Sequence, residues 1–336
     1  MKNKNDLPGL RVMVNHALSA SMLRQLAKSA DDYIAACLAG GSTSSESTAK
    51  ALEQYYTDEQ VARDMFKFLE RHIDVSYHLM VEPSAGAAAF SKLLPSGSLS
   101  FDVDPRCSGI IKANFLALTI DHSGPVAVIG NPPFSAAVAF FNHAASQADV
   151  IAMILPRTFN KDSVRRRLDR AFHLIAEMDV PAHAFLRAGE PYDVPAVFQI
   201  WEKRDALRPI APKRMTHPDF RFGKHKGAHF AIQRVGANAG RIHREFGRSG
   251  EAHLFVTATD RGQAAYVEGI MAGLPLAGMA KNTAGNPSIA ASEIVALYTE
   301  AANARWCRPI AIAPRFHDLT CRYVRTKQAS IKRSAA

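Results

Sequence analysis

Between residues 58 and 203, short apolar segments alternate with segments in which apolar residues recur every three or four positions. The first amphipathic segment, residues 58–70, predicts a helix that Asp58 caps. The apolar segments predict strands at residues 78–82, 99–104, 115–118, 126–130, 150–155, 174–178 and 196–202. Strands alternating with helices predict an α/β fold with a doubly wound parallel sheet. Such a sheet binds ligands beyond the carboxyl ends of its strands.

The two flanks of this region have different patterns. Residues 15–39 predict an amphipathic helix, and the glycine- and serine-rich residues 40–45 predict a flexible linker. The periodicity weakens in the C-terminal part, where the predicted elements are the strands 228–235 and 252–258 and the helix 293–304. We therefore expect a second, smaller domain or a large appendage on the sheet.

The composition excludes several classes of protein. With 47% hydrophobic and 21% charged residues, the chain is neither a collagen, a coiled-coil rod nor a disordered protein. No apolar run reaches the ~18 residues of a membrane span, so we expect no membrane partner. The cysteines are far apart and predict neither a zinc site nor a disulfide framework: they are Cys37, Cys107, Cys307 and Cys321. We expect reduced thiols, a cytoplasmic location and no metal.

The net charge of +10 is unevenly distributed. Residues 203–248 contain 12 Lys and Arg against 3 Asp and Glu, whereas residues 1–202 contain 19 against 22. Such a cluster is typical of a polyanion site, although a solvated basic face that only maintains solubility is the alternative. The candidate nucleic-acid contacts are Arg221, Lys224, Lys226, Arg234 and Arg241.

The clearest chemical motif is Asn131-Pro132-Pro133-Phe134, directly after the predicted strand 126–130. Consecutive prolines give a rigid, extended turn, which holds the Pro132 carbonyl in place beside the Asn131 side chain. Two acceptors and an aromatic ring suit an exocyclic amino group on a planar substrate. The alternative is a strand-terminating turn with a core phenylalanine.

Other strand ends carry residues suited to a nucleoside. The small residues of E-P-S-A-G, which begins at Glu82, let a ligand approach the backbone closely. Asp102 and Asp104 follow the second strand, where a carboxylate commonly holds a ribose. Asn114 suits an adenine edge. The alternatives are tight packing for the small residues and an exposed turn for the two aspartates.

The ordered motifs Y-Y-T, E-P-S-A-G, F-D-V-D-P, A-N-F-L and N-P-P-F, spread over about residues 55–203, resemble those of S-adenosylmethionine-dependent amino-methyltransferases. Within that family, the order resembles N6-adenine DNA methyltransferases, in which the recognition region comes last. The resemblance implies a seven-stranded Rossmann-like sheet. It also implies three parts: an N-terminal helical arm and linker (1–50), a cofactor-binding catalytic domain (51–203) and a basic target-recognition region (204–336).

The resemblance assigns roles to individual residues. The residues implied to bind S-adenosylmethionine, and to release S-adenosylhomocysteine, are Thr57, Glu82, Pro83, Ser84, Gly86, Asp102, Val103, Asn114 and Phe115. Asn131 and Pro132, held by Pro133, would accept hydrogen bonds from the target amino group, and Phe134 would stack on the base. Three departures are Ala88 in place of a second glycine, Asp58 in place of a proline, and a short loop after Phe134.

The expected function is therefore methylation of the N6 amino group of adenine in DNA by a stand-alone enzyme. An RNA adenine or guanine methyltransferase would share the catalytic argument. A protein glutamine methyltransferase would share the tetrad but would not need the basic segment. A DNA-binding protein without catalysis is the remaining alternative. A homodimer is compatible with the sequence, which leaves the oligomeric state open.

Overall fold

A computed structural model of the protein describes residues 10–14, 55–187, 190–210, 212–283 and 285–306. The helix expected at residues 15–39 and the linker 40–45 lie outside these residues. The strands in the described part are β1 (Leu10–Val14), β2 (Tyr56–Thr57), β3 (Leu79–Glu82), β4 (Leu99–Asp102), β5 (Ile111–Lys112), β6 (Leu118–His122), β7 (Val126–Gly130), β8 (Val150–Pro156), β9 (Phe172–Asp179), β10 (Phe185–Arg187), β11 (Glu190–Tyr192), β12 (Ala196–Lys203), β13 (Phe220–Gly223), β14 (Phe230–Gln233), β15 (Ile242–His243) and β16 (His253–Ala258). The α-helices there are α1 (Glu59–Glu70), α2 (Ala137–Ala145), α3 (Asp162–Arg165), α4 (Ala264–Ala272), α5 (Leu276–Ala280) and α6 (Ala291–Trp306).

A seven-stranded sheet organises residues 79–203, in the order β5-β4-β3-β7-β8-β12-β9. The pairs β4–β5, β3–β4, β3–β7 and β7–β8 are parallel, as expected. β12 is antiparallel to both of its neighbours, so the prediction of an all-parallel sheet is wrong. The connection from β9 to β12 contains the β10–β11 hairpin and no helix. A parallel strand needs a crossover connection, usually through a helix, whereas an antiparallel one does not.

The predicted strand 115–118 is also wrong. Phe115–Ala117 forms a turn of 3₁₀ helix, and the Asn114 side chain caps it by accepting a hydrogen bond from the Leu116 amide at 3.1 Å. Asparagine side chains compete with strand hydrogen bonds in this way. The third strand of the sheet is instead β5, on its edge, and β6 pairs with β1 in a separate ladder.

Apolar residues cover both faces of the central sheet. Successive residues of β7 belong to different clusters: Val126 and Val128 pack with α2, and Ala127 and Ile129 pack with α1. This is the alternation expected of a strand buried on two sides. As predicted, the Asp58 carboxylate caps α1, accepting from the Gln60 and Val61 amides.

Residues 220–306, here called the second lobe, have a core of their own. A four-stranded sheet, in the order β13-β16-β14-β15, packs against α4, α5 and α6. The predicted strands 228–235 and 252–258 and helix 293–304 correspond to β14, β16 and α6. Lys161 contacts this lobe through its Nζ, at 2.9 Å from the Ser288 carbonyl and 3.5 Å from Glu293 Oε2. No helix in the described part of the chain is long and apolar enough to cross a membrane.

Candidate active-site cleft

A cleft lies where β3, β4 and β7 end. Since these strands are parallel and adjacent, the segments that follow them meet at one edge of the sheet. The cleft contains about 630 Å³ of space, part of it open to solvent. Its lining residues are Tyr55, Tyr56, Thr57, Glu82, Ser84, Ala85, Gly86, Ala87, Ala89, Phe90, Asp102, Val103, Asp104, Asn131 and Pro133.

The Asn131 side chain is oriented by residues far away in the sequence. Its Nδ2 donates to the Tyr55 carbonyl at 3.0 Å and to Thr57 Oγ1 at 3.3 Å. These bonds fix which end of the amide is the acceptor. Asn131 Oδ1 is buried and has no hydrogen-bond partner among the described residues. A buried polar group without a partner costs about 1–3 kcal/mol, so this oxygen is a candidate acceptor for a ligand.

The rest of the tetrad supports this asparagine. Pro132 and Pro133 are buried, and Ser84 Oγ donates to the Asn131 carbonyl at 3.0 Å. Phe134 is half-buried and begins a short 3₁₀ helix. Its ring meets Phe185 edge-on, with centroids 6.0 Å apart. Neither Pro132 nor Phe134 is among the lining residues of the cleft.

The turn after β3 has the backbone conformation that glycine favours. Gly86 has a φ of +49°, and a Cβ there would lie 3.0 Å from the Tyr56 ring. Ala88 has a φ of +66°. An L-residue with a Cβ pays about 1–2 kcal/mol in the left-handed region. Ala88 therefore adopts a backbone conformation that favours glycine, at a cost in strain.

Asp102 fixes the geometry of this turn. Its Oδ2 accepts from the Gly86 amide at 2.7 Å, and its Oδ1 accepts from the Asp104 amide at 2.7 Å. Each carboxylate oxygen has a further lone pair, so Asp102 retains the capacity to bind hydroxyl groups. Asp104 in turn pairs with Arg106 at 2.5 Å.

Glu82 is a buried carboxyl group at the base of the cleft, with 2% of its surface exposed. Ser91 Oγ donates to Glu82 Oε2 and lies 2.8 Å from Ser100 Oγ. Burial raises the pKa of Glu82 to about 8 in spite of the Ser91 hydrogen bond, and the charge of Asp102 adds to the rise. The group is therefore mostly neutral at pH 7, and a cation in the cleft would favour its ionised form.

The structure brings together most of the predicted site residues. Those that line the cleft are Thr57, Glu82, Ser84, Gly86, Asp102, Val103, Asn131 and Pro133. Pro83 instead packs against Gly130, where a Cβ would lie 3.2 Å from Pro83 Cδ. Asn114 caps its 3₁₀ turn. Phe115 is 1% exposed and packs against Phe140 and His143, so its ring has no free face for a cofactor.

Several lining residues were not singled out from the sequence. Tyr55 stacks on Tyr192, with centroids 5.1 Å apart, and supplies the carbonyl that orients Asn131. Burial raises the pKa of Tyr56, which hydrogen-bonds to Arg106. Both tyrosines stand beside Thr57, which was the available signal, but a tyrosine beside a helix start has many ordinary packing roles.

The predicted nucleic-acid contacts lie on the second lobe. Arg221, on the edge strand β13, is exposed, as are Lys224 and Lys226 just after that strand. Arg241 is exposed and pairs with Glu245 at 2.7 Å. Arg234 is half-buried, and its Nε has no partner among the described residues.

Among the residues described by the structure, no group of three or more His, Cys, Asp or Glu side chains is placed to hold a metal ion. The functional groups of the cleft are the Asn131 amide oxygen, the buried carboxyl group of Glu82, the hydrogen-bonded carboxylate of Asp102 and the backbone of the turn at Gly86.

No family model matches the chain. No curated protein matches it either. Solved structures similar to it include a protein from Pyrococcus horikoshii proposed as an RNA methyltransferase, with 18% identity, covering 53% of this chain and 100% of that one, at a TM-score of 0.35. The 23S rRNA methyltransferase ErmE is 14% identical, and the match covers 47% of this chain and 72% of that one, at a TM-score of 0.33. Magnesium protoporphyrin IX methyltransferase from Synechocystis, solved with bound S-adenosylmethionine, is 13% identical. The match covers 56% of this chain and 99% of that one, at a TM-score of 0.32.

Proposed function

We propose that this protein transfers a methyl group from S-adenosylmethionine to the N6 amino group of adenine in DNA. The observation that carries the proposal is the buried Asn131 Oδ1, which has no partner in the described part of the chain. The bonds from Nδ2 to Tyr55 and Thr57 hold it in the cleft. An acceptor fixed in this way suits an N–H donor on a substrate. An amino group on a flat ring has such a donor.

The cleft fits the proposed cofactor. The missing Cβ of Gly86 makes room for the Tyr56 ring, and both residues line the cleft beside Asp102, where an adenosine or methionine moiety would lie. Asp102 has spare lone pairs for ribose hydroxyls, and Val103 beside it offers an apolar surface to an adenine. Burial disfavours the ionised form of Glu82, and a cationic ligand beside it would stabilise that form, so Glu82 is suited to bind a cation. When bound, S-adenosylmethionine would supply an electrophilic methyl group.

The tetrad would activate a weak nucleophile. The lone pair of an aromatic amine is delocalised into its ring. By accepting N–H bonds, Asn131 Oδ1 and the Pro132 carbonyl would favour a tetrahedral nitrogen and localise that lone pair. The same oxygens would stabilise the positive charge that develops on the nitrogen. Since Asn131 is already held in place, this stabilisation needs no reorganisation during the reaction.

Two features support a nucleic acid as the substrate. The basic segment 203–248 suits a polyanion. Phe134 follows Asn131 closely and is half-buried, and a flipped base that stacked on its ring would gain about 1–3 kcal/mol. The order of the motifs favours DNA, because it resembles the order in N6-adenine DNA methyltransferases. An RNA adenine or guanine substrate would use the same acceptors.

The test is a methyl-incorporation panel with the full chain and radiolabelled S-adenosylmethionine. Unmethylated genomic DNA, total RNA and protein from one host would be offered separately, and the labelled product digested and identified. The proposal predicts label in DNA as N6-methyladenine. Label confined to RNA would move the substrate assignment to RNA. Label in protein as methylglutamine, or cofactor binding with no transfer to any of the three, would overturn it.

A further inference from the structure

A second pocket lies on the second lobe, on the face of its sheet away from the core. Ile232 and Leu254 of β14 and β16 face the core, so the adjacent Gln233 and His253, which pair across the two strands, face the opposite side. The pocket contains about 430 Å³, part of it open to solvent. The residues that line it, here called the arginine pocket, are Gln233, Asn238, Arg241, His243, Glu245, Arg248 and His253.

One carboxylate holds two guanidinium groups in this pocket. Glu245 Oε1 accepts from Arg241 at 2.7 Å, and Oε2 accepts from Nε and Nη2 of Arg248 at 2.8 and 2.6 Å. Each guanidinium has five N–H donors, so both keep donors that Glu245 does not use. The trio has a surplus of one positive charge. The bridge places two planar donors side by side, as anion recognition requires.

His243, whose ring is perpendicular to that of His253 with centroids 5.0 Å apart, adds a further donor to the pocket. The Glu245 amide donates to His243 Nδ1 at 3.1 Å, so the proton of the neutral ring is on Nε2. Burial, and then the nearby His253, lower the pKa of His243, which favours this neutral form. His243 Nε2 is buried and has no acceptor among the described residues. The pocket therefore has a further hydrogen-bond donor beside the two guanidinium groups, and this donor suits an acceptor.

We propose that the arginine pocket binds a phosphate group of a nucleic-acid backbone. Surplus positive charge, unused guanidinium donors and the His243 N–H all require an anionic oxygen acceptor. This geometry suits an oxyanion such as a phosphate group. The assignment to a polynucleotide, in preference to a free phosphate, rests on the proposed function and on the positive charge of residues 203–248. The pocket would position the DNA without reading its bases.

The test compares charge-neutralising variants inside and outside the pocket. Arg241→Gln and Arg248→Gln each remove a guanidinium from the pocket. Arg244→Gln is the matched control, because Arg244 lies in the same segment but pairs with Glu268 and does not line the pocket. Binding of a fluorescent DNA duplex, a competing RNA duplex and inorganic phosphate would be measured at several salt concentrations, with the melting temperature checked for each variant.

Each pocket variant should weaken duplex binding and reduce the slope of log affinity against log salt by about 0.9, and Arg244→Gln should do neither. If a pocket variant fails to fold, His243→Phe, which keeps a ring but removes the donor, should weaken binding in its place. Equal effects of all three arginine variants would overturn the proposal. Loss of phosphate binding with unchanged duplex binding would assign the pocket to a free phosphate and overturn the backbone contact. If the wild type methylates DNA and the pocket variants bind the duplex as tightly as it does, only this inference is refuted. If the wild type binds the duplex, the pocket variants bind it more weakly and no methyl group is transferred, only the proposed function is refuted.

Discussion

Substituting Glu82 by glutamine should change how the stability of the protein depends on pH. The pKa of this buried carboxyl is raised from its ordinary value of 4.5 to about 8. A group whose pKa is raised on folding contributes its full stability below the unfolded value, and that contribution is lost as the pH rises through the folded value. The window for Glu82 therefore extends from about pH 4.5 to about pH 8.

The magnitude follows from the same two values. Each pH unit across the window is worth about 1.4 kcal/mol, so the wild type loses roughly 5 kcal/mol of unfolding free energy between pH 4.5 and pH 8 because of Glu82. The amide side chain of the variant cannot ionise, so the variant loses none of its stability at this position. The difference between the variant and the wild type should grow by about this amount, whatever the packing cost of the amide.

The assay is urea unfolding of both proteins without cofactor, at intervals from about pH 5 to about pH 9. Other titrating groups cancel in the difference between the two proteins. Unfolding free energies that stay parallel across this range would refute the argument, because they would mean that burial does not perturb Glu82. A companion measurement is the affinity for S-adenosylmethionine. It should increase as the pH rises through about 8 in the wild type and lose this dependence in Glu82→Gln.

Three further predictions concern the cleft turn and the basic segment. Asp102→Asn should weaken S-adenosylmethionine binding by about 1.5–3 kcal/mol, measured by calorimetry, because a charged acceptor is lost; an unchanged affinity would remove Asp102 from the ribose site. Ala88→Gly should destabilise the protein by about 1–2 kcal/mol less than Ala85→Gly does, because Ala85 is equally buried but has no positive φ. Equal unfolding free energies of the two variants would contradict strain at residue 88. Lys224→Gln should lower the salt slope of DNA binding by about 0.9, and Lys281→Gln, also exposed on the second lobe, should not; identical slopes would exclude Lys224 as a phosphate contact.

The sequence was informative where chemistry and local pattern coincide. β3, β4, β7 and β8 could be placed because their apolar runs end in turn-forming residues, and the convergence of their ends in a cleft follows from parallel pairing. The direction of β12 could not be predicted. A strand buried on both faces has the same apolar run in either direction, and its direction depends on the connection before it.

The orientation of Asn131 also lies beyond local sequence reasoning. Its partners Tyr55 and Thr57 precede it by 76 and 74 residues, so only the folded chain shows that the amide oxygen has no partner among the described residues. Asn114, by contrast, makes a hydrogen bond that is local in the sequence. Its oxygen caps its own turn, a role that the sequence did not suggest, and its role as a contact to adenine stays a prediction.

The most direct test of the account is a comparison of methyl transfer and cofactor binding in Asn131→Ala, with Asn282→Ala, a half-buried asparagine on the second lobe, as the control. Because Asn131 is proposed to contact the target amine and not the cofactor, its loss should reduce the transfer rate by about 10²–10³-fold. The dissociation constant of S-adenosylmethionine should stay close to that of the wild type, and the control should retain both properties. A transfer rate within about threefold of wild type in Asn131→Ala would contradict the central claim, since the orphaned oxygen would then have no part in the reaction.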